Sequence, residues 1–254
     1  MKLAFCSDIH IHRYEQAADI DALIKHINQL TDLDGFLCLG DLSHRTDELK
    51  AFLSRITLGC PKLWVPGNHD IWVIDKESEL DTADYRYNKL FPKISDEVGW
   101  NYLPAEAFQC KGMNYVVIGS MGWFSGAGFS EWFDADADES NEQLAVDMAN
   151  DLEIKIQQVA EGHRIILAIH HVPHEECIPE HARSSGRVNH YIQSVILKYK
   201  DKIELVIHGH YHSRYEPIDI DGVRFVAHPF GYPQQHASID DGVKVIELCE
   251  KGFI

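Results

Sequence analysis

At 254 residues the chain can bury one large α/β core or two small ones. Its 40 acidic residues against 23 basic ones give a formal charge of -17, which argues against long nucleic acid and anionic membranes as partners unless a local cationic site intervenes. No uncharged apolar run approaches the roughly 20 residues a membrane-crossing helix needs. The stretch Lys2 to Cys6, before the first acidic residue, is too short for the apolar region of an export signal. The six cysteines include no Cys-x-x-Cys pair, so a cytoplasmic protein with reduced, buried thiols is expected. Nothing in the sequence sets an oligomeric state.

In chain order, the apolar runs Leu3-Ala4-Phe5-Cys6, Phe36-Leu37-Cys38-Leu39 and Leu63-Trp64-Val65 lack polar alternation and predict strands buried on both faces. Between the first two, Ile20, Leu23, Ile24, Ile27 and Leu30 recur at helical spacing, and Leu49, Phe52, Leu53 and Ile56 do so before the third. Strand, helix, strand predicts parallel pairing through right-handed crossovers. The next stretch, 71–88, has no regular pattern. Strands follow at Tyr115-Val116-Val117-Ile118, Ile165 to Ile169 and Leu205-Val206-Ile207. A helix from about Asn141 to Glu161 carries the core stripe Leu144, Met148, Leu152, Ile156 and Val159.

A second irregular stretch, 123–140, holds Trp123, Phe124, Phe129, Trp132 and Phe133 beside Asp134, Asp136, Asp138 and Glu139. Such loops either anchor on their aromatics or wall a substrate cleft, where these rings and Trp72 would stack a nucleobase. Glu216 to Ile220 and Val223 to Ala227, split by Asp221-Gly222, predict an antiparallel hairpin, and Val243 to Leu248 a closing strand. No repeat or Pro/Ser-rich linker divides the chain, so one domain over residues 1–254 is expected, with 71–88 and 123–140 near its cleft.

Five predicted strands end in polar clusters: Ser7-Asp8-Ile9-His10, Gly40-Asp41, Gly67-Asn68-His69-Asp70, His170-His171-Val172-Pro173 and His208-Gly209-His210-Tyr211-His212. In extended chain, residues two apart face the same way, which pairs Asp8 with His10 and His210 with His212. Gly40 permits close backbone approach, and the two oxygens of Asp41 can bridge two cations. Any one cluster alone is more often a turn or a cap than a ligand set. As a set, parallel strands would deliver them to one sheet edge, where burying so many ionisable groups is costly unless a metal shares the charge.

The order Asp8-x-His10, Gly40-Asp41, Gly67-Asn68-His69-Asp70, His170-His171-x-Pro173 and Gly209-His210-x-His212 resembles the signature of the calcineurin-like metallophosphoesterases across residues 8 to 212. The resemblance implies an α/β fold, a four-layer αββα sandwich of two mixed β-sheets flanked by helices. It implies two metal ions bridged by a carboxylate and a solvent oxygen. Carried over by motif, Asp8, His10, Asp41 and His212 would hold one ion, and Asp41, Asn68, His170 and His210 the other, with His171 as fallback for His170. Mixed N and O ligands suit Mn or Fe, with Zn or Co also fitting, better than Mg or Ca. The pair would lower the pKa of a bridging water, whose hydroxide attacks phosphorus in line. His69 would protonate the leaving oxygen or stabilise its charge.

Two features depart from the family pattern. An aspartate often stands three residues after the bridging aspartate to orient the catalytic histidine, but here the position is His44, so Asp70 orients His69 or His44 relays protons with it. Arg45 falls where the protein serine/threonine phosphatases carry a phosphate-binding arginine, without their flanking residues; a solvated helix-end arginine is the other reading. His12, His174, His181 and His228 lie near the motifs and are assigned no metal. The expected activity is hydrolysis of a small phosphomonoester or phosphodiester. Cyclic-nucleotide phosphodiesterases and nucleases of the family share the site, and a non-catalytic metal-bound scaffold is the alternative from another class.

Overall fold

The computed structural model describes residues 1–74, 81–125, 137–184, 187–235, 238–249 and 252–253. Among the described residues, twelve strands form two six-stranded sheets. The first takes β1 (Lys2–Cys6), β2 (Gly35–Cys38), β3 (Lys62–Trp64) and β4 (Asn101–Tyr102) in parallel, with β11 (Lys244–Cys249) antiparallel on β1 and β12 (Gly252–Phe253) antiparallel on β11. The second runs β5 (Phe108–Gln109), β6 (Tyr115–Ser120), β7 (Arg164–Ile169), β8 (Ile203–His208), β10 (Val223–Ala227) and β9 (Tyr215–Ile220). There β6, β7, β8 and β10 are parallel, and the edge strands β5 and β9 antiparallel.

Strand alternation divides the core into layers. Leu3, Phe5, Leu37, Leu63, Ile166, Ala168, Leu205 and Ile207 meet between the sheets. Ala4, Cys6, Phe36, Cys38 and Trp64 point the other way, against α1 (Ala17–Asn28), α2 (Thr46–Arg55) and α5 (Phe91–Val98). Ile165, Leu167 and Ile169 do likewise against α6 (Ala137–Gln158) and α7 (His190–Lys198). Each run lacks polar alternation because both faces are covered, one by the opposing sheet and one by helices. The four-layer αββα sandwich is the observed architecture. The hairpin expected at Asp221-Gly222 is present, both turn residues lying at positive φ (52° and 87°) as a two-residue loop demands.

The structure adds what periodicity left out. β4 and β5 have two residues each, too few to show a period. The stretch 71–88 is not irregular throughout: the one-turn helix α3 (Asn68–Ile71) runs into it, and α4 (Ala83–Tyr85) leads through a π turn at Arg86–Leu90 into α5 (Phe91–Val98). The fully buried Arg86 explains that turn. Its guanidinium grips Asp81 through Nε–Oδ1 (2.8 Å) and Nη2–Oδ2 (2.7 Å), while Nη1 donates to the carbonyls of His44 (2.6 Å), Trp72 (2.8 Å) and Asp70 (3.3 Å). One buried ion pair thus fastens the loop after β2 to the turn after β3. Residues 75–80 and 126–136, with Phe129, Trp132, Phe133, Asp134 and Asp136, lie outside the described residues.

Candidate metal centre

Every expected ligand lies just past the carboxyl end of a strand. Beyond β1 the chain continues beside the loop after β2, with Asp8 N–H donating to Gly40 O (2.9 Å), His10 N–H to Asp41 O (2.9 Å) and Ile11 N–H to Leu42 O (2.8 Å). The expectation that Asp8 with His10, and His210 with His212, converge as alternate residues of extended chain is corrected here. These four and Asp41 have left-handed backbone, with φ of 56°, 50°, 79°, 50° and 54° in that order. Among the described residues they are five of the seven non-glycine positions at positive φ. Such strain persists only where surrounding structure enforces it, and it marks functional sites.

Close backbone approach does the enforcing. A Cβ on Gly67 would lie 2.1 Å from Asp41 Oδ1 and 2.6 Å from His170 Cε1, and one on Gly40 would lie 2.1 Å from Gly67 N. The loops after β2 and β3 can touch only because both residues are glycine. Asp70 locks that contact: its Oδ1 accepts from the N–H groups of Leu42 (2.7 Å) and Ser43 (2.9 Å), and its Oδ2 from those of Asp41 (2.8 Å) and Gly67 (2.8 Å). Burial pushes this carboxyl up to about 7, against the pull of the four amides. Both oxygens being committed to backbone, Asp70 positions the loops and does not orient the His69 ring.

Two donor sets meet on Asp41. On one side, His10 Nε2 lies 3.7 Å from Asp41 Oδ2 and 2.9 Å from His212 Nε2, which is 3.6 Å from Asp8 Oδ1. On the other, His170 Nε2 lies 3.5 Å from Asp41 Oδ1 and 3.1 Å from Asn68 Oδ1, which is also 3.1 Å from His210 Nδ1. His170, not His171, faces the carboxylate. The His171 ring packs behind on His210 (4.4 Å), Trp123 (5.3 Å) and Phe124 (6.0 Å), so Trp123 and Phe124 are buried backing and not exposed stacking surfaces.

Proton bookkeeping shows that the donor set fits metal ions. His170 Nδ1 donates to Leu39 O (2.7 Å) and His212 Nδ1 to Gln235 Oε1 (2.7 Å). Each ring therefore presents a bare Nε2 lone pair inward. With its Nδ1 committed to Leu39 O, His170 Nε2 faces Asn68 Oδ1 at 3.1 Å as one acceptor against another, beside Asp41 Oδ1, an arrangement that a cation completes. Burial holds His170 down to about 3 and His210 well below its usual range, which keeps the imidazoles neutral as ligation needs. Burial, Asp8 and Asp70 push Asp41 well above the carboxylate range; bound cations reverse that shift.

His69 stands at the rim of this pair. Its N–H donates to Asp41 Oδ1 (2.8 Å), and its Nε2 lies 4.0 Å from Asp41 Oδ2. Among the described residues its buried Nδ1 has no hydrogen-bond partner. Rings orient it instead: Trp72 at 3.7 Å, His10 at 4.6 Å and His12, stacked, at 5.9 Å. His44 packs on His12 at 4.4 Å, one imidazole removed from His69. Arg45 is not brought in; its half-exposed side chain pairs with Asp47 (3.6 Å) and Glu48 (3.4 Å). His174 and His228 hydrogen-bond elsewhere and His181 is exposed, so of the four neighbouring histidines only His12 enters the site. Arg86, Gln235 and Tyr232, whose ring packs on His10 and His212, carry no sequence signal; His12 had one, as the next alternate residue after Asp8 and His10.

The chain belongs to the calcineurin-like phosphoesterase family, whose model matches residues 1–214, and is a metal-dependent phosphoric ester hydrolase. Phosphopantetheinyl hydrolase from Mycobacterium tuberculosis shares the fold at TM-score 0.69 and 17% identity, over 92% of this chain and 90% of that one. A dimetal phosphatase from Danio rerio does so at TM-score 0.60 and 12% identity, over 98% and 93%. A putative 5'-nucleotidase from Staphylococcus aureus matches at TM-score 0.54 and 14% identity, over all of this chain and 52% of that one. No curated protein sequence matches. No described helix is long and apolar enough to cross a membrane.

Proposed function

We propose that this protein hydrolyses a small phosphomonoester or phosphodiester at a two-metal centre. Asp8, His10, Asp41 and His212 hold one transition-metal ion, and Asp41, Asn68, His170 and His210 the other, with Mn or Fe favoured by the mixed imidazole and oxygen donors. The observation that carries this reading is Asp41, a buried carboxylate with one oxygen toward each donor set. Bound there, the ions supply Lewis acidity toward phosphate oxygens and activate water for in-line attack.

The chain's own residues do the rest. His69, wedged between Trp72 and His10, faces the leaving oxygen through Nε2 and protonates it or stabilises the charge that develops on it. His12 and His44 extend that face away from the metal ligands. Asp70 and Arg86 keep the loops of Asp41 and His69 in contact and touch no substrate. The charge of -17 favours a small substrate over a nucleic-acid duplex, and the free thiols of Cys6, Cys38, Cys60, Cys110 and Cys177 accord with a cytoplasmic setting.

Purified protein supplied with Mn should turn over members of a panel of aryl monoester, aryl diester, cyclic nucleotide and dinucleotide, and His69→Ala should lower that rate on the order of 10²-fold or more. No turnover of any member by the wild type would leave the metal-bound scaffold as the better account.

A further inference from the structure

With Arg45 turned away to Asp47 and Glu48, a different guanidinium stands at the mouth of the metal centre. Arg13 closes the 3-10 turn Ile11–Arg13 that follows His10 directly. Its Cζ lies 5.5 Å from the centre of the Tyr232 ring, and the same ring lies 4.7 Å from the His10 ring and 4.6 Å from that of His212. One aromatic ring therefore couples the guanidinium to two ligand imidazoles. Its charge is felt at His12, at His69 and at the Tyr232 hydroxyl.

Arg13 also stands apart from most of the other arginines in its company. Arg45, Arg55, Arg86, Arg214 and Arg224 each have a carboxylate within ion-pair distance. Arg13 is exposed and has none among the described residues, in a chain with 40 acidic side chains. A guanidinium held over an aromatic face loses less freedom when it binds, and its fork matches phosphate oxygens in pairs. The metal ligands and His69 already serve the scissile group, so Arg13 is set for something beyond it.

We propose that Arg13, braced on Tyr232, binds a second anionic group of the substrate. On this basis the site selects phosphoesters with two anionic centres, such as bisphosphates or nucleotides carrying a further phosphate, over simple monoesters. The inference rests on the two-metal reading for the scissile group.

The test uses Mn-loaded protein and non-hydrolysable alkane bisphosphonates of graded length, each compared with its monophosphonate by calorimetry. For wild type, at least one length should bind about tenfold or more tightly than its monophosphonate. Arg13→Ala should abolish that gain while leaving monophosphonate affinity within about twofold, Arg13→Lys should keep part of it, and Tyr232→Leu should fall between. The proposal is overturned if no length shows a gain, if the gain survives Arg13→Ala, or if that change weakens mono- and bisphosphonates alike. Failure of the underlying reading has a separate signature, in which the wild type turns over no ester at all.

Discussion

The two sheets build their shares of the metal centre differently. The first supplies the three oxygen-bearing candidate ligands, Asp8, Asp41 and Asn68, along with His10. Its loops are held by a buried network in which Asp70 takes four backbone amides and Arg86 pins three carbonyls. The second supplies only imidazoles, and single hydrogen bonds to Leu39 O and Gln235 Oε1 set two of them. Carboxylate loops gather like charges and need backbone dipoles to stay folded. A neutral imidazole needs only its tautomer fixed. Damage on the first sheet should therefore reach the fold, whereas damage on the second should reach the metal alone.

The sharpest break is at the residue both donor sets share. Asp41→Ala should lower activity on the order of 10³-fold or more and remove both ions from metal analysis, with a far smaller loss for His44→Ala; equal, small losses would sink the bridge assignment. Next, Asp70→Ala strands buried amides that cost about 1–3 kcal/mol each, so denaturant unfolding should show a loss of about 3 kcal/mol or more. An unchanged midpoint would mean that the network does not hold the loops.

On the second sheet, Gln235→Leu frees the His212 tautomer. It should weaken metal affinity about 10- to 100-fold, with unfolding of the metal-free protein nearly unchanged. A stability loss as large as that of Asp70→Ala would erase the contrast between the sheets. The smallest expected effect is on pH dependence. Burial holds His170 and His171 at about 3 in the fold, against about 6.5 in an unfolded chain. The unfolded state thus takes up protons first, and metal-free protein should lose stability as pH falls below about 6.5, by on the order of 1 kcal/mol per pH unit for each histidine. A flat profile between neutral and mildly acid pH would show that these rings are not buried neutral.

How the site was legible follows from what each residue depends on. Apolar strand runs located the five polar clusters that hold Asp8, His10, Asp41, Asn68, His69, His170, His210 and His212, and the family resemblance picked these residues out of the clusters. Asp70 was visible as a carboxylate but not as an anchor, because its partners lie 27 or more positions away except at Gly67, and backbone amides leave no mark in a sequence. Of the two readings of Arg45, the solvated helix-end one matches the structure, because two nearby acids claim the side chain.

By itself, the sequence determined the strand cores, the crossover helices and the polar clusters at strand ends from which the candidate ligands come, because burial on both faces and polar residues after an apolar run are written locally. Only the tertiary structure decided that Asp8, His10, Asp41, His210 and His212 reach the centre through left-handed backbone and not along a pleat. It alone also decided that Arg13, Tyr232, His12 and Gln235 belong to the site's surroundings. Those outcomes depend on where two sheets dock and how closely their loops approach, and long-range geometry of that kind has no period to read.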